Sequence, residues 1–162
     1  MAKSKKPIKT NAMRILDSRK IDYKVHSYPD DGPVSAMEVA ECLGQEPDRI
    51  FKTLVTTDGH DYFVFVVPGD HELDLKAGAK AIGVKKIEML KQKELFPLTG
   101  YIHGGCSPVG MKKVFPTVVD ETALNWGTIY VSGGKIGVQI EISPEDLKKA
   151  VGVSFCDITK KQ

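Results

Sequence analysis

At 162 residues, the chain fits one domain with a hydrophobic core of its own, since single domains commonly run to about 100 to 200 residues. Its 23 basic and 21 acidic side chains leave a formal net charge of +2, which excludes wholesale wrapping of nucleic acid but permits a local basic patch over a phosphate backbone. Cys42, Cys106 and Cys156 form no CxxC pair, and no apolar run reaches the roughly 20 residues of a membrane span, so the sequence reads as that of a soluble protein of a reducing, cytosolic compartment.

Residues 1–9 carry Lys3, Lys5, Lys6 and Lys9 with almost nothing to bury, and are expected to form a flexible basic arm ahead of a domain spanning 10–162. Ala12, Ile15, Leu16 and Ile21 recur at helical spacing, and Tyr23, Val25 and Ser27 then alternate as in a strand. Ser35 followed by Glu38 has capping-box spacing, and Gly44 supplies the stop. Ile50 to Thr57 is rich in β-branched residues, Asp58-Gly59 is a turn pair, and Tyr62 to Val67 is a second strand, together a hairpin.

Leu73 to Ala81 reads as a helix ending at Gly83, with a short strand near Lys86 to Met89. The lysines crowding 76–93 suit a solvated face or an RNA surface. A glycine-rich stretch, Gly100 to Gly110, precedes strands expected at Val114 to Val119, Thr128 to Val131 and Val138 to Ile142. Ser143-Pro144-Glu145-Asp146 is a helix start, and Val153 to Ile158 a last strand. Without a regular βαβ beat, a doubly wound parallel sheet is disfavoured.

Lys52 lies inside a predicted strand, where period-two alternation puts it on one face with Ile50 and Leu54. If that face is inner, a lysine points into a cleft, tuned for base chemistry or for gripping an oxygen; if Phe51, Thr53 and Val55 are inner, Lys52 stands in water. Gly104-Gly105 and Ser132-Gly133-Gly134 are glycine-dense turns able to bring backbone N–H groups near a ligand, or simply tight turns; neither has phosphate-loop spacing. Cys106 beside His103 is a weak thiol-nucleophile signal, and the histidines show no ligand spacing, so no metal and no cofactor are expected.

Together the segments His26-Ser27-Tyr28, Arg49 to Leu54, Thr99-Gly100-Tyr101 with Gly104-Gly105 and Ser107-Pro108, and Tyr130 to Lys135 carry a resemblance to a known family. The chain resembles the Cys-tRNA(Pro) deacylases of the YbaK/EbsC type, relatives of the editing domains attached to some prolyl-tRNA synthetases. The resemblance implies an α/β fold: a single domain with a mixed, largely antiparallel, barrel-like sheet and surrounding short helices. It places the family's essential lysine on Lys52 and substrate-binding positions on Tyr28, Thr53, Gly104, Gly105, Ser132, Gly133 and Gly134. Between Tyr28 and Ser35 the chain is shorter than the family pattern and lacks an aromatic cleft residue, and Gln139 stands where some relatives carry an acid.

What the resemblance implies chemically is hydrolysis of mischarged Cys-tRNA(Pro), with the substrate's own thiol attacking its ester. The implied partners are aminoacyl-tRNA and, for tRNA identity, prolyl-tRNA synthetase, with no DNA and no membrane. The alternatives are a deacylase for another residue, such as alanine on tRNA(Pro), or a non-catalytic module that binds aminoacyl-tRNA.

Overall fold

The computed structural model describes residues 9–29 and 35–161; the expected basic arm lies, but for Lys9, outside the described residues. Helix α1 (Asn11–Ser18) starts where the Thr10 hydroxyl accepts the Met13 N–H, and it buries Ala12, Met13 and Leu16 along one face. Strand β1 (Lys24–Ser27) follows. Helix α2 (Ala36–Leu43) has the full capping box between Ser35 and Glu38, and Gly44 closes it in the left-handed region that glycine adopts without strain.

A short 3-10 turn, Pro47–Arg49, leads into the hairpin of β2 (Phe51–Thr57) and β3 (Tyr62–Pro68). Their connection runs from Asp58 to Asp61 and not through Asp58-Gly59 alone, because the Asp58 carboxylate accepts the N–H groups of His60 and Asp61 at 2.9 and 2.7 Å. Helix α3 (Leu75–Ile82) is capped by Asp74, and the strand beyond it shrinks to β4 (Glu88–Met89). Helix α4 (Gln92–Thr99) has no sequence signal: Lys91 gives no side-chain cap and Pro97 sits inside it. It is held through partly buried Leu95 and Leu98, which pack on the main core.

Strands β5 (Thr117–Asp120), β6 (Ile129–Ser132) and β7 (Val138–Ile142), helix α5 (Pro144–Val151) and strand β8 (Ser154–Cys156) complete the chain. One sheet is antiparallel, in the order β1-β7-β6; the other, β4-β2-β3-β5-β8, is mixed, with β5 parallel to both neighbours. The expected barrel-like sheet is thus two sheets that do not close into a barrel. Among the described residues the backbone pairing between them is one parallel bridge, Ile50 to Tyr130.

The larger sheet is covered on both faces, which explains the unbroken burial of β3 from Phe63 to Pro68. Phe51, Val55, Val64 and Val66 enter the main core, which runs on through Val131 and Ile140 of the smaller sheet. Phe63, Phe65 and Val67 enter a second cluster with Ala79 of α3. A third, small cluster of Tyr28, Val39, Ala40, Ile50 and Tyr130 packs α2 onto the junction of the sheets.

Arg49 braces that junction. Its guanidinium donates to the Thr128 carbonyl at 2.8 Å, to Gln45 Oε1 at 2.9 Å and to Glu141 Oε2 at 3.3 Å, and it lies 5.2 Å from the Tyr130 ring centroid. Glu141 also receives the Thr128 hydroxyl at 2.6 Å and faces His26 Nε2 at 2.8 Å. The Thr128 hydrogen bond first, then His26 and Arg49, hold its carboxyl below the ordinary value of 4.5 against the opposing effect of burial.

A carboxyl depressed in the folded state stabilises the fold fully above its unfolded value, and that contribution is lost as pH falls through the lower folded value. Denaturant unfolding across a pH series should therefore show Glu141→Gln less stable than wild type at pH 7, on the order of 1 to 2 kcal/mol. The difference should shrink below about pH 4.5 as the wild-type carboxylate protonates. A difference constant from pH 7 to pH 3 would contradict this account.

Candidate active site

A cleft of about 340 Å³ lies beside the sheet junction. All five residues from Ile50 to Leu54 line it, so residues from both faces of the β2 strand reach the same space. This resolves the alternation. Phe51 and Val55 do point into the main core, at 2% and 3% exposure, yet Lys52 does not stand in water: it is half-buried on the cleft wall.

The Lys52 ammonium donates to the Gly69 carbonyl at 3.4 Å. Burial holds its pKa below the ordinary 10.5, while Glu72 and Asp70 oppose that shift from nearby. Gly69 lies past the end of β3, its N–H bonded to the Ile50 carbonyl at 2.7 Å. It also abuts α2 so closely that a Cβ there would fall 2.0 Å from Ala36 Cβ. Sequence reasoning missed this residue; its signal was the Pro68-Gly69-Asp70 stop after the strand.

Of the expected substrate positions, Tyr28, Lys52, Thr53, Gly104 and Ser132 all line the cleft. Gly105, Gly133 and Gly134 stand behind the wall, and their N–H groups are engaged: with the Ile102 carbonyl at 2.9 Å, the Val138 carbonyl at 2.8 Å and the Ser132 hydroxyl at 3.2 Å. They are glycines for close approach. A Cβ on Gly105 would meet Lys135 Cα at 2.9 Å, and one on Gly133 would meet Val138 Cγ1 at 2.5 Å. Of these turn glycines, it is Gly104 that lines the cleft itself.

The cleft also contains Val39 and Leu95, which the sequence did not single out, and the buried Gln139, which it marked only as standing where some relatives carry an acid. Leu95 arrives on the unforeseen α4, which is why periodicity could not find it. The interval between Tyr28 and Ser35, where an aromatic cleft residue was expected to be lacking, lies outside the described residues except for Pro29. Cys106 lines the cleft too, but burial pushes its thiol up to about 12, so it is no thiolate nucleophile at neutral pH. Among the described residues, Asp48, Asp70 and His71 have ligand atoms within 4.8 Å of one another. Asp48 and Asp70 are exposed, and a hydrogen bond to Asp70 raises the Asp48 carboxyl, as expected of neighbours sharing a proton.

The fold and this cleft define an aminoacyl-tRNA editing domain: the model of that family matches residues 33–150, and the chain belongs to it. Over the full length of both proteins it is 50% identical to an Enterococcus faecalis protein named as a candidate Cys-tRNA(Pro)/Cys-tRNA(Cys) deacylase, EbsC. Over 98 residues, 60% of this chain, it is 36% identical to the proline–tRNA ligase of Trichlorobacter lovleyi, of which it spans 16%. A solved structure described as a candidate trans-editing enzyme for prolyl-tRNA synthetase matches it with a TM-score of 0.85 at 26% identity, covering 93% of this chain and 96% of that one.

Two stability measurements test the geometry. Gly69→Ala should lower the melting temperature, by the equivalent of about 1 to 3 kcal/mol, because Ala36 and α2 must shift to admit the methyl group. Lys52→Met should leave the melting temperature equal or higher, since it removes a charge that burial disfavours. A markedly less stable Lys52→Met protein would mean that the lysine is there to hold the fold and not to act in the cleft.

Proposed function

We propose that the protein is a cytoplasmic trans-editing hydrolase that deacylates mischarged Cys-tRNA(Pro), with Lys52 positioning the aminoacyl 3′ end. The observation that carries this reading is a half-buried lysine on the wall of a small cleft, in a chain identical at half its positions to the EbsC protein. Tyr28, Thr53, Gly104 and Ser132 form the substrate walls, with Gly105, Gly133 and Gly134 setting their approach. Among the described residues no helix is long and apolar enough to cross a membrane.

An apolar synthetase pocket separates near-isosteres such as cysteine and proline by only about 10- to 200-fold, so a second step must use chemistry. The substrate supplies it. Its thiol, with a pKa of about 8.5, attacks its own ester carbonyl; the S–C bond forms, the ester C–O bond breaks, and the thiol proton passes to the 3′ oxygen of the tRNA. The product is a four-membered cyclic thioester that water opens to cysteine.

The cleft's task is then to hold thiol and carbonyl together, which can contribute up to about 7 to 11 kcal/mol. Lys52 donates to an ester or phosphate oxygen, and the Gly104 amide faces the developing oxyanion. A protein nucleophile is not required, in keeping with the protonated state of the Cys106 thiol. Selection of tRNA(Pro) falls to prolyl-tRNA synthetase as partner, because a cleft of about 340 Å³ has little room to read a whole tRNA.

Deacylation rates of Cys-, Ser-, Ala- and Pro-tRNA(Pro) should show fast loss of cysteine alone, with Lys52→Ala reducing kcat/KM by roughly 100-fold or more. Comparable loss of serine would point to a water nucleophile and defeat the thiol mechanism. Retention of every ester would leave a binding module.

A further inference from the structure

Among the described residues, two buried side-chain polar atoms have no hydrogen-bond partner, Thr53 Oγ1 and Gln139 Oε1, and both residues line the cleft. Gln139 is 5% exposed, set in the middle sheet strand between buried Val138 and Ile140, in register with Ser132 on β6 and His26 on β1. A buried carbonyl oxygen without a donor is costly, and folds rarely keep one without cause. Two such atoms on opposite strands of one cleft describe a site that a ligand's donors complete.

Near its reacting carbon a cysteinyl ester offers oxygens, which suit the Lys52 ammonium, the weak S–H donor that the reaction consumes, and two stronger donors: the α-amino group and the terminal ribose hydroxyl. The amine carries two or three N–H groups and can serve Gln139 and Thr53 together; the hydroxyl has one. The amine donates in either protonation state, so a neutral acceptor suffices. A neutral amide also does not compete for the Lys52 ammonium as a carboxylate would.

Resting on the deacylase reading above, we propose that Gln139, with Thr53, forms a subsite for the substrate's α-amino group and makes the cleft selective for aminoacyl esters with a free amine. Acylation of the amine removes donors and adds bulk at a buried wall. Peptidyl-tRNA and other N-acylated aminoacyl-tRNAs are thereby spared.

The test is calorimetric binding of a non-hydrolysable mimic, 3′-cysteinylamino-3′-deoxyadenosine, beside its N-acetyl and 2′-deoxy forms, to wild type, Gln139→Met and Gln139→Glu. Wild type should prefer the free amine over the N-acetyl form by roughly 10- to 100-fold. Gln139→Met should bring that ratio near one, and Gln139→Glu, which keeps an acceptor oxygen, should retain it. Equal binding of both forms by wild type, or a ratio unchanged in Gln139→Met, overturns the subsite. So does a loss of affinity for the 2′-deoxy form that Gln139→Met abolishes, which would assign the acceptor to the ribose.

The mimic binds without turnover, so the two readings fail separately. An intact amine preference in a protein that does not cleave Cys-tRNA(Pro) supports the subsite and overturns the deacylase; cleavage without amine preference does the reverse. No binding of any mimic overturns both.

Discussion

The parallel bridge between Ile50 and Tyr130 is the contact on which the site depends, because it is where two otherwise separate sheets meet. Lys52 and Thr53 come from one sheet, Ser132 and Gln139 from the other, and at this junction they become walls of one cleft. Arg49 secures it from the outer side. Its rigid fork reaches Gln45, Thr128 and Glu141 at once, a task the point charge of a lysine could not perform.

Small residues set how near the walls stand. Gly69 lets α2 approach the end of β3, and the same residue offers its carbonyl to Lys52, so helix position and lysine position are linked through one backbone unit. Behind the opposite wall Gly105 lets the loop at 102–106 close on Lys135 and Ile136, and Gly133 lets its own hairpin close on Val138. The amides of both glycines are spent inside those loops.

The groups on the cleft wall suit holding a reacting substrate more than attacking one. Its thiol is kept protonated by burial, its lysine is half desolvated, and its two orphaned oxygens await donors. Such groups orient. The membership of the chain in the aminoacyl-tRNA editing domain family gives the orienting work an object, an amino acid still esterified to tRNA.

By itself the sequence determined the elements whose signals are local: the Ser35–Glu38 capping box, the hairpin of β2 and β3, and the Ser143-Pro144 helix start all stand where the residues predict. The ordered motifs around Lys52 and the glycine turns also pointed to the family. Helix α4 escaped because Pro97 interrupts it and no cap announces it, so its stability comes from packing. Tertiary structure alone decided that two sheets meet without closing, that both faces of β2 are covered, and that Gly105, Gly133 and Gly134 stand behind the cleft wall. Period-two alternation tells which residues share a face, not what lies against it; that depends on contacts between strands far apart in the chain.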